Sequence, residues 1–304
     1  MKKLIVSLSI LICMGFMIYG QPRPQVLPPN IQIKTSILVV ILGETRAHKH
    51  TFDRFERHVL KHLNADLALC VADKEIDWIN NPFYARANYT WLFPDLQDWG
   101  DAFEFVYRTK YPKTGAKWRN ILHVKDQFMG GIKDSTHQGS AGILLFMRWW
   151  LQQHISQHRY QWYIITRSDY YYLHPHPTYM FDYPQNIWVP EGEDWGGITD
   201  RHVVIPHAYL HTMLDFVDTL MRNPAQVIDA MNYQRPWGFW NLEKVLKWRL
   251  EANGVWDRVK RFPQVMFTVR DADSKTRWSQ GVWNTELNLF IKYPDEYKRA
   301  KALK

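Results

Sequence analysis

The chain has 304 residues, enough for one large domain or two small ones, and an apolar fraction of 46% that supplies a sizeable core and excludes disorder as the default state. Its formal charge of +8 comes partly from the ends, Lys2 and Lys3 at the start and Lys298, Arg299, Lys301 and Lys304 at the finish. The other basic residues are dispersed, so no nucleic-acid partner is expected, and two cysteines, Cys13 and Cys70, exclude a Cys-based metal site and leave no intradomain disulfide to expect.

In chain order, Lys2-Lys3 and the apolar stretch Leu4 to Tyr19 read as a signal anchor over residues 1–20, with a cleaved signal peptide as the alternative. The Pro-rich residues 21–35 read as an extended spacer. Ile37 to Leu42 is a continuous apolar run, as in a parallel strand buried on both faces. Thr51 to Asn64 places Phe52, Phe55, Val59, Leu60 and Leu63 on one helical face, and Ala65 to Val71 makes the next strand. In such a βαβ opening the loop Gly43-Glu44-Thr45-Arg46 faces the ligand crevice, so Arg46 is a candidate anion contact, or an ordinary surface arginine. Asp73, after the second strand, either meets a ligand edge or caps a turn. Asn88-Tyr89-Thr90 is a glycosylation sequon, and the aromatic segment Asp77 to Lys117 carries no regular period.

The Gly clusters at 127–131 and 137–142 precede a helix from Ile143 to His154 and match neither a Walker loop nor a full dinucleotide fingerprint, which argues against kinase and dehydrogenase readings. Trp162 to Thr166 is a short apolar strand that delivers Arg167, Ser168 and Asp169 into a patch of Tyr170, Tyr171, Tyr172, His174 and His176. A lone carboxylate there can hold a hard divalent cation against a diphosphate, and aromatic rings can stack on a base or a sugar. It can equally form an ion pair with Arg167. His174-Pro175-His176 reads as a turn more readily than as a metal site.

Ile187 to Pro190 and Val203 to Pro206 are strands flanking the Gly-rich loop Gly192 to Arg201, and His207 to Met221 reads as one helix. Asn241-x-Glu243 opens a helix from Leu242 to Ala252, where Glu243 is either a catalytic base or a favourable charge on the helix dipole. Phe262 to Arg270 looks like a final strand, Asp271-x-Asp273 a solvated loop, and residues 291–304 a charged tail that frays.

Thr166-Arg167-Ser168-Asp169-Tyr170 and Trp195-Gly196-Gly197-Ile198-Thr199-Asp200-Arg201 together resemble motifs of the GT-A glycosyltransferases, in particular divergent members with an Arg-Ser-Asp-Tyr sequence in place of Asp-x-Asp. By order of elements the resemblance runs from Ser36 to Arg270; its one departure is Arg167, where the usual motif has an acid. It implies an α/β, GT-A-like (Rossmann-like) domain over residues 36–290, with a mixed, mainly parallel sheet flanked by helices. The implied activity is metal-assisted transfer of a sugar from a nucleotide-diphosphate sugar to a glycan or glycoprotein acceptor. Asp169 would hold Mn²⁺ or Mg²⁺. Arg46, Asp73, Arg167, Ser168, Tyr170, Trp195, Gly196, Gly197 and Arg201 would contact the donor, and Glu243 would be the base, with Asp200, Asp194 and Glu193 as rivals. The implied layout is a Golgi or ER membrane enzyme with a lumenal catalytic domain, secreted if the N-terminal segment is cleaved. The alternative function is a secreted carbohydrate-binding protein with a degenerate transferase fold; scarce clustered His and Asp ligands argue against a metal-dependent hydrolase.

Overall fold

Five apolar or β-branched residues in a row leave a strand no solvated face, so the sheet they form must be covered on both sides. The computed structural model describes residues 36–73, 77–124, 129–135, 137, 139–155, 160–233, 240–274 and 279–303. In it β1 (Ile37–Gly43) is buried along its whole length. It pairs in parallel with β2 (Asp66–Ala72) and with β4 (Trp162–Thr166), so that Val39 sits opposite both Leu67 and Ile164. One face of β1, through Leu38, Val40 and Leu42, packs into the core that holds the helix Ala141–Ile155. The other, through Ile37, Val39 and Ile41, meets Phe55, Val59 and Leu60 of the segment that starts as the helix His48–Phe55 and widens into a π-helix over Glu56–Lys61.

Beyond these lie β3 (Tyr89–Phe93), β6 (Ile187–Pro190), β7 (Val203–Pro206) and β8 (Val259–Phe262), giving a seven-stranded order β3-β2-β1-β4-β7-β6-β8. The pairs β4·β7 and β6·β7 are antiparallel, so the sheet is mixed and the architecture is α/β, loosely Rossmann-like, with helices on both faces. From β1 the chain steps outward to β2 and β3, then returns to place β4 on the other side of β1. The crevice at the carboxyl ends of β1 and β4 is therefore a topological switch point, where open α/β sheets bind ligands.

A second sheet departs from the expected end of the fold. β5 (Tyr170–Tyr172), β9 (Met266–Arg270), β10 (Val282–Asn284) and β11 (Leu289–Ile291) form an antiparallel sheet in the order β10-β11-β9-β5. The expected frayed tail is the helix Pro294–Ala302, and it belongs to this layer: Glu296 is fully buried, accepts a hydrogen bond from the Thr268 amide at 2.7 Å and pairs with Arg201 at 2.9 Å. Two further expectations change. The stretch Asp77 to Lys117 contains the helix Pro82–Arg86, strand β3 and the helix Gly100–Lys110. The expected helix His207 to Met221 is broken at Asp215, whose carboxylate takes the Arg249 guanidinium at 2.6 Å, leaving Leu210–Leu214 and Phe216–Arg222 as separate helices.

The membrane reading is also corrected. Among the described residues no helix is long and apolar enough to cross a membrane. The expected anchor at 1–20 and spacer at 21–35 lie outside the described residues, so the membrane-held, Golgi or ER placement has no support and forms no part of the function considered below.

Candidate functional site

The loops after β1 and β4 meet because one hydroxyl joins them. Ser168 Oγ lies 2.8 Å from the Glu44 carbonyl and 3.0 Å from that of Arg46, so Ser168 fixes the first loop against the second. Beside it Arg167 Nε and Nη2 donate to the two oxygens of Asp169 at 2.8 and 2.6 Å. This bidentate fork is the strong form of an arginine–carboxylate pair. Burial alone would raise the Asp169 pKa, but Arg167, and at longer range Lys292 and Arg46, hold it below the ordinary carboxylate value.

Asp169 borders a cleft of about 140 Å³ whose wall comes from Arg46 on one side and from Val269, Arg270, Asp271, Ser274 and Lys292 on the other. The far wall is built by β9 and β11, whose pairing of Val269 with Ile291 carries Lys292 to the rim. Charges around the cleft are unevenly matched. Arg46 is paired with Glu44, Asp169 with Arg167, and Asp271 with His50 at 3.2 Å. Arg270 donates from Nε to the Gln280 carbonyl and from Nη1 to those of Asp271 and Ala272, which orients it without cancelling its charge. Lys292 is 8% exposed; its amide donates to the Thr268 carbonyl at 2.8 Å, and its ammonium lies over the Tyr293 ring, 5.4 Å from the centroid, with no carboxylate partner among the described residues. Burial first, then the nearby arginines, depress its pKa to about 8 against the pull of Asp169.

These residues do not fit a divalent cation. The Asp169 charge is answered by Arg167, half of the other lining residues are cationic, and no group of three or more His, Cys, Asp or Glu side chains among the described residues could hold a metal ion. Of the two histidines near this strand end, His176 is fully buried and hydrogen-bonded to His202, which in turn contacts Thr166 Oγ1 at 2.8 Å. With His176 Nδ1 donating to the Pro177 carbonyl, the chain of hydrogen bonds requires a neutral His176 that accepts from His202, and burial lowers the His176 pKa to about 4.

The second group of expected site residues gathers at the start of the helix Leu242–Ala252. Asn241 caps it, its side chain accepting from the Lys244 amide at 2.8 Å and donating to the Trp195 carbonyl at 3.0 Å. The Ile198 amide donates to the Glu243 carbonyl at 3.1 Å, and a Cβ on Gly197 would stand 2.1 Å from Glu243 backbone atoms, so only glycine allows this approach. Glu193 and Trp195 both take left-handed backbone angles, φ 55° and 47°, and the Trp195 ring is 57% exposed. A bulky residue held in that conformation and displayed to solvent is a common mark of a binding loop. The Glu243 carboxyl is pushed up to about 8, by burial first and then by the charge of Asp200, against the pull of Arg201 and Arg148. Arg148, buried in the helix Ala141–Ile155, donates to the Asp200 carbonyl at 2.8 Å.

Arg201 lies between the groups. It pairs with Glu193 at 3.4 Å and Glu296 at 2.9 Å, packs over Tyr293, and its charge acts on both Lys292 and Glu243. Three expected residues stand apart. Tyr170 is 1% exposed and packed edge-on against Tyr172 and His202, so it offers no ring face for stacking. Asp73 accepts the Asp95 amide at 3.2 Å and is not part of the cleft wall. Asp194 is engaged by Arg261 at 2.7 Å and the Thr199 amide at 3.2 Å, which makes it a turn-holding group and a poor base. Sequence reasoning passed over Lys292, Arg270 and Arg148. For Arg148 a signal existed, a lone cation inside the apolar run Leu144 to Leu151.

No protein-family model matches the chain, and no curated protein matches it. Among solved structures it has a weak, partial likeness to mouse xyloside xylosyltransferase 1 in its apo form, with a TM-score of 0.39 and 9% identity over 75% of this chain and 85% of that one. The site stands on its own geometry.

Proposed function

We propose that the chain is a glycosyltransferase of GT-A type that moves a sugar from a nucleotide-diphosphate donor to a hydroxyl of a glycan or glycoprotein acceptor. The observation that carries this reading is Glu243. It is a half-buried carboxyl beside Asp200, at a helix start fastened to a loop that displays Trp195, and the charge of Arg201 acts both on it and on Lys292 of the cationic crevice. As the acceptor oxygen bonds to the anomeric carbon, the bond from that carbon to the phosphate oxygen breaks and Glu243 takes the acceptor proton. A base with a pKa near the working pH combines enough ionised form with enough basicity for that transfer. The departing diphosphate gains negative charge, which fixed cations beside it stabilise. Trp195 supplies a face for the C–H side of a sugar ring.

A binding-only protein has one observation in its favour, the Arg167 clamp on the Asp169 carboxylate. Incubating the purified full chain with a panel of nucleotide sugars, with and without acceptor glycans, separates the two. Release of nucleoside diphosphate from at least one donor, above a Glu243→Gln control, is the expected result. Silence across the panel, together with sugar binding, contradicts the transferase reading and favours the binding protein.

A further inference from the structure

We infer that the cleft between Arg46 and Lys292 binds the phosphate oxygens of a diphosphate directly, on side-chain cations and with no divalent ion as intermediary. The inference deepens the transferase reading by assigning the charge-neutralising groups of the donor site, and it rests on that reading only for the identity of the natural ligand.

The first ground is an unpaired charge. An ammonium on a largely buried side chain with no carboxylate against it is costly to maintain, and natural folds pair or hydrogen-bond such groups. Lys292 is 8% exposed and borders the cleft; its ammonium lies over the Tyr293 ring, 5.4 Å from the centroid, and meets no carboxylate among the described residues. The second ground is that cations outnumber the free carboxylates at the rim. Glu44 has Arg46 and Asp169 has Arg167, which leaves Asp271, in contact with His50 at 3.2 Å, as the one rim carboxylate not held by an arginine, against the two cations Lys292 and Arg270. An anionic ligand would supply the remaining counter-charge. Its size follows from the volume of about 140 Å³, which takes a phosphate group or a diphosphate and is well below the roughly 300 Å³ at which pockets for whole organic ligands begin. Arg46 is half exposed at the mouth, and its guanidinium can contact a second phosphate while still touching Glu44.

Lys292 then does the work of a cation beside an Asp169 whose charge is already answered by the Arg167 guanidinium. Asp169 and Arg167 form the positioning pair behind it, holding the loop after β4 in place.

The test is calorimetric titration of the purified full chain with inorganic pyrophosphate, once in EDTA and once with Mn²⁺ or Mg²⁺ in excess. Binding in EDTA within threefold of binding with the ion is expected, and it weakens with added salt. Lys292→Gln is expected to reduce affinity at least tenfold with unchanged circular dichroism, and Lys292→Arg to keep most of it. Arg46→Gln, at a half-exposed position, is expected to reduce affinity severalfold with unchanged circular dichroism, which guards the test against a misfolded Lys292 variant. Absence of pyrophosphate binding, binding that vanishes in EDTA, or affinity unmoved in both glutamine variants overturns the inference. Pyrophosphate binding without turnover of any nucleotide sugar leaves this site standing and removes the transferase reading; turnover strictly dependent on Mn²⁺ or Mg²⁺ does the reverse.

Discussion

The end of β4 and the start of the helix Leu242–Ala252 each carry a carboxylate that the sequence marks out, and their surroundings drive them in opposite directions. Asp169 is gripped at both oxygens by Arg167 and stays ionised below the ordinary range. Glu243 has no such grip; burial and the neighbouring Asp200 carry it up to about 8. The difference teaches that a motif's acidic residue is not the reactive one by virtue of its place in the motif. A clamped carboxylate holds structure, and one left without a cationic partner can exchange a proton near neutral pH.

The strand end under Asp169 can be broken by acid. His176 and His202 support Thr166, the last residue of β4, and His176 is neutral in the fold with a pKa of about 4 against an ordinary 6.5. As pH falls the unfolded chain takes up the proton first. The stability this group contributes is therefore complete above pH 6.5 and drains away between 6.5 and about 4, by up to roughly 3 kcal/mol. Thermal melts across that window should show it; a midpoint flat from pH 7 to 4 would place the pair outside the cooperative core.

Asp169→Asn sharpens the contrast. Removing the charge leaves Arg167 partly buried and uncompensated, at a cost of about 2–3 kcal/mol, or roughly 5–8 °C in the melting midpoint of a domain of this size. A melting temperature equal to that of the parent would mean that the pair does not hold the loop. The smallest expected effect is at the display loop. Trp195→Ala should weaken acceptor or donor binding by about 1 kcal/mol, near fivefold in KM, with stability unchanged because the ring is largely in solvent. An unaltered KM would remove Trp195 from the binding surface.

Much of the parallel half was legible because its signals are local. The apolar runs of β1, β2 and β4 are uninterrupted, and Asn241 before an apolar helical face announces an N-cap. β3 escaped notice because Tyr89 to Phe93 lies between short aromatic helices, although Asn81-Pro82 is an N-cap followed by proline at the first helical position. The helix Pro294–Ala302 carried the same kind of sign, Pro294 with Asp295 and Glu296 in its first turn and Arg299 and Lys301 in its last, and was masked by its charge. Lys292 had no local sign at all. Its position depends on β11 pairing with β9 and on β9 pairing with β5, contacts remote in sequence that no window along the chain contains. The Arg167–Asp169 pair was readable as one of two alternatives, and the fold chose between them.

The central claim is that the proton leaves through Glu243. Its most direct test is the pH profile of nucleotide-sugar turnover, measured in parallel on the parent chain and on Glu243→Gln. The account predicts a parent rate that climbs as pH rises through about 8 and levels off above it, and a variant at least a hundredfold slower with that rise abolished. A variant that keeps the parent's rate and the same pH dependence would contradict it.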